Sequence, residues 1–342
     1  CGGSYCDRFY SNGGFDLYDW QSNDERRTTD AIQTSLAGSK LIGDMRHDFN
    51  TTILRQRQLL RSPYVQTNIY MGTGNIYNST VIPGYADYSD TGTSSSEYTT
   101  ELSLSDRIAI GDKSTIWLGL RHTELSRSSA KTDGTQFVSD QRSFNTPWLA
   151  ATHKLTNDQT LYASYGEGIE SEVTPNKTKY TNAGQALPAL RSKQYELGIK
   201  SQTATSRWQA TVFDITRPQS ADACDGSGTV CTRQIDGQAH HRGLELSGGL
   251  THGQWNGDVS AAWIDAKRQN AEIDPTINGQ TALNVPRMTL RALAQYRFTE
   301  VPGLRSSLRV NHEGTRRVTE DGALLLPAWT TLDLATHYDT RI

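Results

Sequence analysis

The chain has 342 residues, with 34 Lys and Arg against 37 Asp and Glu and a formal net charge of −3. That near balance leaves no basic footprint for a general nucleic-acid binder. No run of about 18 apolar residues occurs, which excludes a transmembrane helix, and 15 Tyr and 7 Trp set within regular alternation exclude a disordered chain.

Apolar residues recur at every second position rather than at helical spacing. In chain order the alternation predicts strands over 28–41, 45–60, 97–110, 114–128, 143–155, 159–168, 192–202, 206–217, 239–251, 254–267, 286–299, 304–316 and 328–340, about 13 in all. Within 114–128, Ile116, Leu118 and Leu120 share one face, and Trp117, Gly119 and Arg121 share the other. Leu332 and Leu334 alternate with Thr331, Asp333 and Ala335 in the same way. Most of these strands run about ten residues or more, longer than the five or six usual in soluble sheets and enough to cross a bilayer when tilted.

The connections sort by length. Short turns fall at Gly43-Asp44, Gly111-Asp112, Asn157-Asp158, 203–205, His252-Gly253 and Pro302-Gly303. Long polar loops fill 61–96, 129–142, 169–191, 218–238, 268–285 and 318–327, and 1–27 opens the chain as a further loop-like segment. After the first long loop the short turns recur roughly every 46–50 residues, with two long strands per period rather than the four short ones of a propeller blade. A soluble sandwich has no reason to sort its connections so. A membrane barrel with tight periplasmic turns and long extracellular loops does. The expected fold is therefore all-β, a partial transmembrane antiparallel β-barrel, whose polar lumen and loops give the chain its low hydrophobic content of 35%. The two ends look cut, and 13 is odd where single-chain bacterial barrels are even, so the chain reads as a fragment.

The four cysteines form two tight sequence pairs, Cys1/Cys6 and Cys224/Cys231, the second in CDGSGTVC. Two small disulfide loops from an oxidising compartment fit this pattern, with free thiols as the alternative. A zinc site would need further Cys or His at ligand spacing, so no metal site is expected. His240 and His241 are adjacent on a strand and point to opposite faces, which prevents joint chelation. No G-x-S-x-G, P-loop, G-x-G-x-x-G or H-E-x-x-H occurs, so no catalytic residue is assigned and the chain is not read as an enzyme.

Several segments, in order, resemble the C-terminal barrel of TonB-dependent outer-membrane receptors of the ferric-siderophore type. They are LYASYGEG at 161–168, LPALRSKQYELGIK at 187–200, VFDITR at 212–217, RGLEL at 242–246 and NVPR at 284–287, the last without the His of the family pattern. The resemblance covers roughly 97–340. It implies about 13 of an expected 22 strands, with the N-terminal plug domain, its TonB box and the closing strands outside this chain. It implies a monomeric barrel in the outer membrane of a Gram-negative bacterium that imports a ferric siderophore by TonB-dependent active transport. Its partners would be the siderophore, TonB-ExbB-ExbD, and outer-membrane lipid and lipopolysaccharide. Passive porins, barrels for cobalamin, haem or a glycan, and a soluble adhesive β protein are the alternatives. Thr174-Pro175-Asn176-Lys177 matches only the end of a haem-receptor box.

In such receptors the chelator's own oxygens hold the iron, so no cofactor or protein ligand is implied. The protein supplies aromatic surface, donors and positive charge. The resemblance points to Tyr18, Trp20, Tyr70, Tyr77, Tyr85, Tyr88, Tyr180, Arg217 and Arg233 as ligand-binding candidates in loops and at strand ends. The same tyrosines could instead pack loop against loop or form an aromatic girdle. Glu196, Lys200, Glu245, Arg291, Arg297, Arg309 and Asp333 alternate with apolar residues and are expected to face the lumen. Trp148, Trp208, Trp263 and Trp329 are expected at the membrane interface.

Overall fold

The computed structural model describes residues 12–78, 92–175, 177–319 and 322–340. Its strands in chain order are β1 (Gly14–Asn23), β2 (Arg26–Ile42), β3 (Met45–Arg61), β4 (Tyr64–Asn75), β5 (Thr93–Ile110), β6 (Ser114–Lys131), β7 (Val138–Lys154), β8 (Gln159–Glu170) and β9 (Leu190–Gln202). Then come β10 (Ser206–Cys224), β11 (Cys231–His252), β12 (Trp255–Gln269), β13 (Met288–Arg297), β14 (Leu304–Glu313), β15 (Arg316–Arg317), β16 (Leu325–Leu326) and β17 (Trp329–Tyr338). Among the described residues the one helical element is the 3-10 turn Pro275–Ile277.

Thirteen strands form a single antiparallel sheet in the order β17-β14-β13-β12-β11-β10-β9-β8-β7-β6-β5-β3-β2. The short turns all lie at one end of it. The β2–β3 and β5–β6 hairpins close at Gly43 and Gly111, whose φ of 58° and 57° suit glycine and match the twist of the paired strands.

Register assigns the two faces. Ala163, Leu197, Val212, Leu244, Trp263 and Met288 are successive cross-strand partners from β8 to β13, so they line one face as an unbroken apolar row. The row is bare: Leu197 is 51% and Val212 49% exposed. Such a stripe is unsatisfied in water and matched by hydrocarbon. On the opposite face Thr160, Lys200, Gln209, Ser247, Ser260, Arg291, Asn311 and Thr331 are partners in succession. Register puts Glu196, Glu245, Arg297, Arg309 and Asp333 on this polar face too. The sheet is thus an open stretch of barrel wall, apolar outside and polar within.

The structure departs from the sequence expectation above the membrane. The wall strands do not stop where alternation stops. β10 and β11 continue through most of 218–238 and meet at a tip bridged by the Cys224–Cys231 disulfide. β6 and β7 likewise run into 129–142. β1 and β4 pair as a two-stranded ribbon that prolongs the β2–β3 hairpin through segments read as loops, 1–27 and 61–96. Beyond the bilayer neither face needs to be apolar, so the hydropathy signal vanishes while Thr, Tyr and Val keep the backbone extended.

Two of the tryptophans are also placed differently. Register turns Trp148 and Trp329 to the lumen face, opposite Gly119 and Glu313. The Trp148 indole covers the open backbone of Gly119, as Tyr162 covers Gly198 and Phe213 covers Gly243 on the same face. Trp208 and Trp263 stand on the outer face as expected.

Candidate functional site

The site is the surface above the apolar band, a vestibule wall built from the upper strands and the two loops packed on them. On β11 the outer face passes from Leu244 to Arg242 and His240, which marks the top of the band. A charge lower on that face would cost about 2–4 kcal/mol at the bilayer centre. His240 donates to the Asp214 carboxylate over 2.7 Å on the outer face, while His241 faces the lumen, so the two do not converge. No group of metal-ligating side chains occurs among the described residues.

The loop between β8 and β9 is clamped to the β10–β11 ribbon. Backbone bonds join Cys231 N to Lys179 O and Thr181 N to Cys231 O, each at 2.8 Å. Arg233 donates from Nε to Glu172 at 2.5 Å, from Nη1 to Asp222 at 2.7 Å and from Nη2 to Ser220 at 2.9 Å. The Tyr180 hydroxyl donates to the other Asp222 oxygen at 2.7 Å, and Tyr180 itself is buried. Burial pushes the Asp222 carboxyl up, but the bonds from Tyr180 and Arg233 outweigh it, so Asp222 titrates below its ordinary value. Arg142 secures the same loop from β7, donating from Nη2 to Ala186 O at 2.7 Å.

The loop over 270–287 folds back across the lumen face of β11 and β12. Ala239 and Ala266 on the wall and Ala271, Ile277 and Ala282 in the loop are all buried. Asp236, 3% exposed, fixes the loop by accepting from Glu272 N at 2.7 Å and Ile273 N at 3.1 Å. Between loop and wall lies a cavity of about 180 Å³, lined on one side by Ile277, Ala282 and Leu283 and on the other by Arg217, His241 and Arg268. His241 is held below its ordinary pKa by burial first, then by Arg217 and His240, so its ring is neutral at pH 7.

The candidate residues are distributed as follows. Tyr18 and Tyr70 face each other across the β1–β4 ribbon, rings 5.7 Å apart edge to face, each more than half exposed. Trp20 belongs to β1, and Tyr77 follows β4 and is exposed. Tyr85, Tyr88, Cys1 and Cys6 lie outside the described residues. Tyr180 and Arg233 meet at Asp222, inside the clamp. Arg217 faces the lumen and binds Glu170 through two bonds, 2.6 and 2.5 Å. Sequence reasoning missed the carboxylates that hold these cations: Glu170, Glu172, Asp222 and Asp236. One signal was available for Asp222. Folding the ribbon about CDGSGTVC places Asp222 directly opposite Arg233.

The family model described as TonB dependent receptor-like, beta-barrel matches residues 2–342. The chain belongs to the TonB-dependent receptor family. It is 29% identical over 278 residues to the ferrichrome receptor FcuA of Yersinia enterocolitica, covering 77% of this chain and 36% of that protein. It is 26% identical over 251 residues to the metal-pseudopaline receptor CntO of Pseudomonas aeruginosa (strain UCBPP-PA14), covering 69% and 34%. The chain thus spans about a third of the curated relatives it matches. Among solved structures it resembles BauA, the ferric preacinetobactin receptor of Acinetobacter baumannii, with TM-score 0.79, 23% identity, and 97% of this chain and 50% of that one covered. It also resembles Fiu, the ferric-catecholate import receptor of K12 E. coli, with TM-score 0.78, 15% identity and 93% and 49% coverage. These likenesses establish the fold: a partial barrel wall of the Gram-negative outer membrane. The family is one of transport receptors rather than enzymes.

Proposed function

We propose that the protein containing this wall imports a ferric siderophore across the outer membrane by TonB-dependent active transport. The observation that carries the reading is the polar lumen face that leads up to a donor-rich vestibule, in a chain whose curated relatives are named as receptors for ferrichrome and metal-pseudopaline. The iron arrives as cargo in its chelator, so the wall's task is recognition and passage. TonB-ExbB-ExbD would supply the energy through parts of the protein outside this chain. Lipid and lipopolysaccharide would cover the outer apolar rows. The test is uptake of radiolabelled ferric chelates by iron-starved cells with and without the full-length gene. Uptake that requires both the gene and TonB supports the proposal. Uptake of every chelate at equal rates in the deletion strain refutes it.

A further inference from the structure

Above the apolar band, register turns Arg27, Arg127, Arg142, Arg217 and Arg268 toward the lumen. Each has a carboxylate within 4 Å. Arg27 has Glu25 at 2.7 Å, Arg142 has Asp140 at 2.6 Å, Arg217 has Glu170 at 2.5 Å, Arg268 has Asp236 at 3.9 Å, and Arg127 is paired with Glu97. Arg233 in the clamp has two acids. On this part of the wall the lumen-facing arginines above the band are therefore N–H donors already held by acids, with Lys131 the one lumen-facing cation of β6 above the band that has no ion pair among the described residues. A polyanionic guest would have to draw guanidinium groups away from acids that already hold them, leaving those acids unpaired. A neutral guest rich in carbonyl oxygens needs only donors, and it leaves the pairs intact. The cavity beneath the 270–287 loop has that character. It has an apolar floor, a neutral His241 beside two paired arginines, and a buried Arg268 Nε that has no hydrogen-bond partner among the described residues.

We infer that this vestibule selects an electrically neutral, carbonyl-rich ferric chelate of the hydroxamate class, one arm of which enters the cavity lined by Arg217, His241 and Arg268. This rests on the ferric-chelate reading above and names the substrate class within it. A neutral chelate also gains little from long-range steering, so its binding is insensitive to salt, whereas capture of an anion weakens as salt rises.

The test uses the full-length receptor in detergent, with intrinsic fluorescence quenching by two probes: ferrichrome, a neutral ferric trihydroxamate, and ferric citrate, an anionic carboxylate complex. Ferrichrome is expected to bind at least about tenfold more tightly, a difference of roughly one decade in Kd, and to hold its affinity at high salt. Glu170→Gln keeps the shape and frees Arg217. Because that pair is half exposed, the preference should move toward ferric citrate by only about two- to fivefold. His241→Phe fills the cavity and should weaken ferrichrome while ferric citrate stays unchanged. Ferric citrate binding as tightly as ferrichrome, or a ratio unmoved by Glu170→Gln, overturns the inference and leaves the receptor reading standing. Binding of neither probe overturns the inference, and the uptake test above decides the receptor reading separately.

Discussion

Removing the Cys224–Cys231 disulfide by the double change Cys224→Ser, Cys231→Ser should loosen the clamp and leave the wall alone. The closed loop has a sequence separation of seven residues. A loop that short restricts the open state by about 2 kcal/mol on the chain-entropy account. The cost falls locally, because the ribbon tip has no second strand beside it along most of 218–237, only the loop it clamps, while residues near Leu244 are held by strands on both sides. The clamp bonds, donated by Cys231 N to Lys179 O and by Thr181 N to Cys231 O, depend on that tip. Opening of the ribbon and of the 171–189 loop should therefore rise together by roughly thirtyfold, since about 1.4 kcal/mol is a factor of ten. Hydrogen exchange of the full-length receptor, followed by mass spectrometry, reads this directly. Peptides over 172–187 and 218–237 should exchange faster, and peptides over 244–250 should not change. Unchanged protection in 172–187 beside a frayed ribbon would refute the coupling. Equal loss across all strands would refute the claim that the disulfide acts locally.

Three further outcomes follow from the same geometry. Leu246→Lys places a charge on the lipid face and should cost about 2–4 kcal/mol if near the bilayer centre, whereas Ser247→Lys, one residue on and facing the lumen, should shift the urea midpoint of the micellar full-length protein very little. Gly119→Ala sets a methyl group into the Trp148 indole and should destabilise by about 1–3 kcal/mol; in the same urea assay, Gly119→Ala made with Trp148→Leu should recover most of the loss. For Asp222, whose pKa is lowered on folding, the associated stability is complete above the ordinary carboxylate value of about 4 and is lost as pH falls through the lower folded value. Protease protection of the 171–189 loop should thus hold from pH 7 to about 5 and fall below about 4, and Asp222→Asn should be weakly protected at every pH.

Much of the wall was legible from the chain, because within a bilayer chemistry and geometry share one period. Lipid outside and water inside force strict alternation, so Leu197, Val212 and Leu244 betray their strands and their common face at once. The length of the connections separates the two rims for a similar reason: a tight turn such as Gly43-Asp44 needs only the right backbone, while the other rim is free to grow.

The vestibule was not legible in the same way. Tyr180 and Arg233 read from sequence as groups offered to a ligand, but the fold commits both to Asp222. Trp148 looked like an interface anchor, and its register with Gly119 turns it inward. What the sequence by itself determined is what a two-residue period and a turn can encode within the bilayer: the 13 wall strands, their order and the side facing lipid. Only the tertiary structure decided which charges cancel, because Glu170 and Arg217, or Asp236 and Arg268, are brought within reach by strands and loops whose spacing in the chain carries no energetic signature until they pack.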